Sequence, residues 1–215
     1  MTADRTGLEA EIRAAWQEQN YNLAITVLLR GYGPELLGFL VARLRDESAA
    51  SEVFSLFCMD LLRGLPTFGW RSTARVWAYT VARHAANRWA AAPHRRAERN
   101  VPLSQAGELG ALADQVRKST LPHLRSEVKN RFALLREQLS QQDQTILILR
   151  VDKKLAWRDL AAVMLYDGEP VDDEQALERE TIRLRKRFQL IKDQLRKLAE
   201  AEGMLTRGDP AEGAS

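Results

Sequence analysis

Apolar residues recur at helical spacing along almost the whole chain, whereas no segment combines the period-two alternation of a strand with turn residues at its ends. The first run, with Leu8, Ile12, Ala15 and Trp16 on one side, sets the pattern that later segments repeat. The sequence therefore predicts an all-α protein. The predicted helices span residues 6–20, 23–30, 34–44, 49–62, 72–92, 108–118, 120–139, 145–151, 155–165 and 178–201.

The boundaries of these helices follow residues with known terminal preferences. Gly31 to Gly33 should end the second helix, and Pro34 suits the first turn of the third, since its missing N–H has no intrahelical partner there. Asp46 and Ser72 can each accept a backbone N–H as a helix N-cap, and Ser140 with Asp143 gives a capping signal before the helix at 145.

Proline and glycine divide the chain into two parts. Pro93, Pro102, Gly107 and Gly110 interrupt the helical pattern around a charged run. We therefore expect two small helical domains joined by a linker, with a helix-turn-helix in the second domain. The expected boundaries are 1–92 for the N-terminal domain, 93–119 for the linker, 120–201 for the C-terminal domain, and 202–215 for a disordered tail.

The stretch from Leu65 to Trp89 combines a loop rich in aromatic residues with a basic helix. On that helix, Trp77, Val81 and His84 share a face that we expect to be buried. Arg75, Tyr79 and Arg83 recur every four residues on the other face. Such a stripe fits a phosphate backbone and an unstacked base, although a solvated helix face carrying one tyrosine fits the pattern equally well.

Charge and cysteine content narrow the function further. The net charge is only +3, but eight arginines lie between Arg63 and Arg99, and eight basic residues lie between Arg179 and Lys197. Two separate basic blocks favour two DNA-facing surfaces. A single cysteine, Cys58, excludes an internal disulfide. Because no signal peptide and no apolar run of membrane-spanning length is evident, we expect a cytoplasmic protein.

The last helix has the pattern of a DNA-reading helix. Leu184, Phe188 and Ile191 begin an apolar stripe, and Arg183, Lys186 and Gln189 lie on the opposite side, where arginine and lysine can address guanine and glutamine adenine. The helix before it is short, as in a helix-turn-helix, but about a dozen residues separate the two, which indicates either an insertion in the turn or a different motif. A coiled-coil-like partner helix with a solvated basic face is the alternative.

Enzymatic functions find no support in the sequence. There is no Gly-rich phosphate motif, and His84, His94 and His123 fall at unrelated spacings. The acidic cluster from Asp172 to Glu174 lacks the glycine and the alternation of a calcium loop and suits a helix start. We therefore expect a protein that is not an enzyme and that uses no metal and no cofactor.

Two segments resemble bacterial RNA polymerase sigma factors of the extracytoplasmic-function type. The first, LPTFGWRSTARVWAYTVARHAANRW, is similar to the family pattern LPxFRGxSSLRTWLYxIARNxAxDxxR. The second, LREQLSQQDQTILILRVDKKLAWRDLAAVM, is similar to the fourth conserved region of that family. The resemblance covers about residues 22–198. The matching positions in the first segment are Leu65, Pro66, Phe68, Ser72, Arg75, Trp77, Tyr79, Ala82 and Arg83.

The resemblance implies a role for each domain. The helix from Ala49 to Leu56 would dock on the β′ clamp helices of core polymerase, and the C-terminal domain would meet the β flap. Core-binding candidates are Glu52, Ser55 and Leu56. Candidates for the promoter −10 element, including the aromatic of a loop that holds a flipped base, are Phe68, Arg71, Arg75, Tyr79 and Arg83. Candidates for the −35 element are Arg179, Arg183, Lys186, Arg187 and Gln189.

The resemblance thus predicts an alternative sigma factor that binds core RNA polymerase and promoter DNA, in a group commonly held by an anti-sigma factor. A polymerase-independent helix-turn-helix regulator is the second interpretation, and a structural helical protein is the third. The acidic segment from Tyr166 to Glu180, with seven acids, departs from the common pattern. We expect it to fold back onto Arg158 or the Lys153–Lys154 pair, or else to shield the basic helix.

Overall fold

The computed structural model describes residues 5–91, 108–124, 131–165 and 173–204. These residues form α-helices and no strand, which confirms the all-α prediction. A short 3₁₀ turn, Leu65–Thr67, follows α3, and a π-helical turn, Ile148–Asp152, follows α7. The helices are α1 (Arg5–Gln17), α2 (Tyr21–Leu44), α3 (Glu47–Gly64), α4 (Ala74–Ala91), α5 (Glu108–Leu124), α6 (Arg131–Glu137), α7 (Gln141–Leu147), α8 (Trp157–Leu165) and α9 (Glu174–Ala201).

α2 is one continuous helix, so the predicted break at Gly31–Gly33 and the new helix at Pro34 are wrong. Burial on nearly all sides outweighs the local propensity of these residues. The glycines instead allow close helix packing. A Cβ at Gly31 would lie 2.2 Å from Leu8 of α1, and one at Gly33 would lie 3.1 Å from Val116 of α5.

α2 is also long and apolar enough to pass a length-and-composition test for a membrane span. Two thirds of its most apolar window is buried inside the protein, however, as expected for the central helix of a water-soluble core. Leu28, Leu36 and Phe39 are among its residues with no exposed surface. α2 therefore forms the centre around which α1, α3, α4 and α5 pack.

The predicted caps are partly confirmed. The Asp46 carboxylate accepts hydrogen bonds from the N–H groups of Ser48 and Ala49 at the start of α3, and Ser140 caps α7. At α4 the predicted cap, Ser72, is wrong, because Thr73 Oγ1 accepts from the Val76 N–H and the Thr73 carbonyl accepts the first helical bond, from Trp77. The chain therefore enters α4 one residue later than predicted.

The second half of the predicted linker is helical. The short helix predicted at 108–118 is present, but α5 continues to Leu124, so the predicted start of a new helix at Thr120 or Pro122 is wrong. α5 packs along α2 and α3. Residues 93–107, the rest of that linker, lie outside the described residues, as do 205–215 of the tail.

The C-terminal helices also differ from the prediction at their ends. The helix predicted at 145–151 begins at Gln141 and changes to π-helical geometry at Ile148. The last helix begins at Glu174 rather than at residue 178, because the Asp173 carboxylate accepts from the Gln175 N–H and caps it. Residues 166–172, the first part of the acidic segment, lie outside the described residues.

The C-terminal helices pack against the N-terminal ones. The Arg75 guanidinium of α4 donates to the Lys153 carbonyl at 3.1 Å, and Arg45 pairs with Glu137 at 2.9 Å. Arg43 donates to the Thr145 hydroxyl of α7 and to the side chain of Asn87. One contiguous apolar core includes residues from both halves of the chain.

Candidate nucleic-acid interface

The loop between α3 and α4 is built around a stack of aromatic rings. Phe68 lies 4.7 Å from Trp77, centroid to centroid, with the ring planes 21° apart, and only 7% of Phe68 is exposed. Phe68, a candidate for the −10 element, is therefore buried in this structure. Trp77 is also buried against the loop, as predicted. Phe68 shapes the loop from beneath and leaves Arg71 as its exposed basic residue.

Trp70 holds the loop in an unusual backbone conformation. Its φ angle is +55°, in the left-handed region that bulky residues rarely adopt, so neighbouring contacts must stabilise it. The Trp70 ring packs edge-on against Trp16 at 5.9 Å and against Phe68 at 4.9 Å. The Arg13 guanidinium lies over the same ring at 5.4 Å. Residues of α1 therefore help to set the conformation of the loop.

The predicted basic stripe on α4 is mostly buried. Tyr79 has no exposed surface and packs edge-on against Phe39 of α2 at 5.5 Å, and its burial raises its pKa. Arg75 is 7% exposed and forms a two-point ion pair with Glu35, with its Nε 2.6 Å from Oε1. Arg75 and Tyr79, two candidates for the −10 element, therefore lie on no open face in this structure.

The physical reason is that α4 packs on more than one side. α2 and α3 cover one side of it and α8 covers another, so a single-face wheel cannot separate its buried from its exposed residues. Arg83, the third member of the stripe, is half-buried and lies 3.2 Å from His84 Nε2. His84 is half-buried too, which agrees in part with the predicted burial.

A cavity of about 310 Å³ lies where the loop meets α4. The N-terminal half contributes polar groups to it, and α8 and α9 contribute apolar ones, so the C-terminal half forms part of its wall. Its size and its mixture of aromatic and hydrogen-bonding groups suit a planar heterocycle such as a nucleobase. The lining residues include Phe68, Arg71, Ser72, His84, Ala162 and Leu177.

The candidate polymerase-binding residues lie along α3, where α5 packs beside them. Glu52 and Leu56 are half-buried. Ser55 is engaged within the chain, because the Arg117 guanidinium of α5 donates to Ser55 Oγ at 2.5 Å and to the Ser51 carbonyl at 3.1 Å. Ser55 therefore meets a helix of its own chain in this conformation.

α9 separates an apolar face from a basic one, as predicted. Leu184 and Ile191 are 1% exposed, and Phe188 packs edge-on against Trp157 of α8 at 5.4 Å. On the other side Arg183, Lys186 and Gln189 are exposed. Three candidate DNA-reading side chains thus share one solvent-facing surface.

Two arginines of this face are held by acids. The Arg187 guanidinium donates to both carboxylate oxygens of Asp143, at 2.7 and 2.6 Å, and these hydrogen bonds hold the pKa of Asp143 below its usual range although burial opposes the shift. Arg183 donates twice to the buried carboxylate of Glu180, both bonds at 2.6 Å. The sequence predicts Arg187 as a DNA contact and gives no signal for its ion pair with Asp143, which links α9 to α7.

The described part of the acidic segment turns toward α8. Both oxygens of the Glu174 carboxylate accept from the Arg158 guanidinium, which confirms that this segment reaches Arg158. Asp173 pairs with Arg179 at 3.2 Å while capping α9, so Arg179 is also engaged. Within the described residues, no group of three His, Cys, Asp or Glu side chains is placed to hold a metal ion.

Glu9 is the residue of this region that the sequence pattern did not single out. Its carboxylate accepts from the Ala74 N–H at 2.7 Å and from the Arg75 N–H at 3.0 Å, both at the N-terminus of α4. The Tyr32 hydroxyl donates to it at 2.9 Å, and burial together with this bond raises the pKa of Tyr32. A glutamate on a predicted amphipathic helix gives no sequence signal for a cap on a helix 65 residues away.

Comparison with known proteins places this geometry in a family. The model of sigma-70 region 2 matches residues 28–97, the segment that holds α3, the loop and α4. RNA polymerase sigma factor YlaC of Bacillus subtilis (strain 168) is 27% identical over 144 residues, which cover 66% of this chain and 79% of that protein. No solved structure matches the chain.

The all-α fold and these two matches relate the chain to bacterial transcription initiation factors. More specifically, the matches support an RNA polymerase sigma factor of the extracytoplasmic-function type. It is an alternative sigma factor that binds core RNA polymerase and directs promoter recognition. Sigma factors act on polymerase in the cytoplasm and are not themselves enzymes, and anti-sigma factors commonly bind members of this type.

Proposed function

We propose that this sigma factor binds the −10 element in the cavity beside the loop, and not on the α4 stripe of Arg75, Tyr79 and Arg83. The observation that carries this proposal is that Arg71, Ser72 and His84 line a base-sized cavity, whereas Arg75 and Tyr79 are buried in ion-pair and aromatic contacts. Arg71 would contact phosphate, and the polar groups of Ser72 and His84 would contact the edge of an extruded base. Phe68 would support the cavity floor.

The −35 element would be read by the exposed face of α9. Lys186 and Gln189 present their polar ends to solvent beside Arg183, and side chains of these types hydrogen-bond guanine and adenine in the major groove. Arg187 would keep α9 in place through Asp143, and Arg179 would stay with Asp173 at the helix start. This face therefore offers Lys186 and Gln189 as reading groups, and Arg183 would join them when it leaves the Glu180 carboxylate.

Core polymerase would dock on α3 through Glu52 and Leu56. Ser55 would join that contact only after Arg117 released it. We assign residues 1–92 to the polymerase-binding and −10-binding domain and 120–201 to the −35-binding domain. In this proposal the protein acts in the cytoplasm, and catalysis belongs to the polymerase alone.

The test measures transcription from a matched promoter set with reconstituted holoenzyme. Arg71→Ala should weaken discrimination among −10 variants, and Lys186→Ala should weaken discrimination among −35 variants, each by about tenfold at one base pair. Lys197→Ala, on an exposed and late position of α9, is the matched control and should affect all promoters alike or not at all. If Lys186→Ala instead changed −10 preference, the assignment of the two surfaces would be rejected.

A further inference from the structure

Helix α1 contacts both ends of the loop that forms the cavity. At the entrance, Trp16 Nε1 donates to the Leu65 carbonyl at 2.8 Å. In the middle, the Trp16 ring and the Arg13 guanidinium pack on Trp70. At the exit, the Glu9 carboxylate accepts two N–H groups at the start of α4. Residues three or four positions apart lie on the same face of a helix, so Glu9, Arg13 and Trp16 form a single edge of α1.

The contact at the exit has a clear electrostatic basis. The first N–H groups of a helix lack intrahelical partners and carry partial positive charge, so a carboxylate is the side chain that satisfies them best. Thr73 satisfies one further N–H from within the loop, and the Tyr32 hydroxyl of α2 holds the Glu9 carboxylate in position. The start of α4 is therefore fixed by a helix that lies far away in sequence.

The contacts in the middle explain how Trp70 keeps its strained backbone. A non-glycine residue at φ +55° persists only where its surroundings determine it. Here two rings and one guanidinium enclose the Trp70 side chain. Without α1, the Trp16 and Arg13 contacts would be lost, and Trp70 could return to a common backbone conformation. The loop would then lose the shape that places Arg71 and Ser72 at the cavity.

We propose that α1 is a brace that holds the loop 65–73 in the shape required for the −10 element, with Glu9 and Trp16 as positioning residues. α1 lies outside the segment that matches sigma-70 region 2. The brace rests on the proposed role of the loop in holding the −10 element. Because α1 orders the loop when the protein folds, the free-energy cost of ordering the loop does not reduce the free energy available for promoter opening.

The experiment compares Glu9→Ala, Glu9→Gln and Trp16→Phe in holoenzyme reconstituted with the full chain. Promoter opening is followed by the fluorescence of 2-aminopurine placed in the −10 element, and polymerase binding is measured separately. Glu9→Ala should lower the opening equilibrium by about tenfold or more, as expected for loss of a charge-assisted hydrogen bond. Glu9→Gln keeps one acceptor oxygen and should lose less. Trp16→Phe keeps an aromatic ring but removes the donor to Leu65.

Two controls separate positioning from general stability. Glu11→Gln makes the same charge change on an exposed position of α1 and should behave as wild type. Ile25→Val removes one buried methylene from α2 and none of the contacts of the brace, so it supplies a reference with reduced thermal stability. If α1 acts as a brace, the Glu9 and Trp16 variants should open promoters less well than Ile25→Val. Each variant is assayed the same number of degrees below its own melting temperature.

Three results would overturn the inference. If the Glu9→Ala and Trp16→Phe variants opened promoters as well as the wild type, the loop would not need α1 to hold its shape. A loss of polymerase binding equal to the loss of opening would show that α1 only maintains the fold. If Arg71→Ala left −10 discrimination unchanged while Glu9→Ala impaired opening, the proposed role of the loop would be rejected, and α1 would then act elsewhere.

Discussion

Arg187, on the exposed side of α9, donates two hydrogen bonds to the carboxylate of Asp143, which is 2% exposed at the start of α7. Ser140 Oγ also donates to this carboxylate at 2.8 Å and caps the same helix. A buried carboxylate needs such partners, because an unpaired charge away from water is strongly unfavourable. The pair therefore fixes the position of α9 relative to α7.

Replacing Asp143 with asparagine should destabilise the protein at neutral pH by about 1–3 kcal/mol, since a charge-assisted hydrogen-bond pair is lost. The pKa of Asp143 is lowered by Arg187 in the folded state, so its contribution is present above the unfolded pKa of about 4 and is lost as the pH falls through the folded value. The difference in the free energy of unfolding between wild type and Asp143→Asn should therefore be constant from about pH 5 to 7 and shrink below about pH 4. Urea unfolding at several pH values measures it.

The matched control is Asp114→Asn on α5. Asp114 also pairs with an arginine, Arg117, but its side chain is 56% exposed, and exposed ion pairs contribute at most about 1 kcal/mol. A pH-independent difference for Asp143→Asn would contradict the linkage to its carboxylate.

Lys186 and Arg187 are neighbours in sequence and should differ in effect. Alanine at Lys186 should weaken promoter binding while leaving the melting temperature unchanged, because Lys186 is exposed on the face of α9 that we propose reads the −35 element. Alanine at Arg187 should lower the melting temperature by several degrees, since about 1–3 kcal/mol is lost with its contact to Asp143. Thermal unfolding and promoter binding of both variants decide this. Equal melting temperatures would assign Arg187 to DNA instead.

Local sequence signals predicted the helices of this protein better than they predicted which other helices pack against them. The apolar stripe of α9 and the caps Asp46 and Ser140 were found, because each depends on residues within a few positions. The breaks at Gly31 and Pro34 were wrong, because burial of α2 by helices distant in sequence overrides local propensity. Helix patterns cannot show which other helices will cover them.

The same limit explains why two candidate residues of the site are buried and not exposed. The four-residue spacing of Arg75, Tyr79 and Arg83 correctly places them on one side of α4, yet that side faces α2 and Glu35 for the first two residues. Trp77 was correctly expected to be buried. Identifying Glu9 required a contact across 65 residues, for which a single sequence carries no signal. The exposed side chains of α9 were easier to predict, because α9 has one apolar face and one polar face.

Replacing Phe68 with alanine should lower the free energy of unfolding and should not reduce promoter opening selectively. Phe68 stacks on Trp77 and packs on Trp70, and removal of a buried phenylalanine costs about 3–5 kcal/mol. Urea unfolding should show this loss, whereas Arg71→Ala in the same loop should change the free energy of unfolding by less than about 1 kcal/mol. If Phe68→Ala unfolded like wild type and only opening fell, Phe68 would act on DNA directly.

The packing of the two halves in this structure conflicts with simultaneous promoter contact. α4 and α8 touch, and Leu177 of α9 lines the same cavity as Arg88 of α4. The −10 and −35 elements lie about 25 base pairs apart, which is roughly 85 Å of duplex. The two surfaces proposed to contact DNA must therefore separate when both elements are bound, which breaks contacts such as Arg45–Glu137 and Arg75–Lys153. The cavity beside the loop then opens on the side of α8 and α9 and keeps the wall formed by the loop and α4, which carries Arg71, Ser72 and His84.

Energy transfer between dyes on Arg88→Cys and Glu178→Cys should report this separation. Cys58 should not react with the dyes, because burial raises the pKa of its thiol to about 12 and the thiolate is the reactive form. Transfer should be efficient in the free protein, since Arg88 lines the same cavity as Leu177, the neighbour of Glu178. It should fall to near background in the polymerase–promoter complex. Polymerase without promoter, and promoter without polymerase, are the controls that show which partner drives the change. Efficient transfer retained in a complex that produces transcripts would mean that the halves stay together and that one of the two promoter elements is not contacted by its assigned surface.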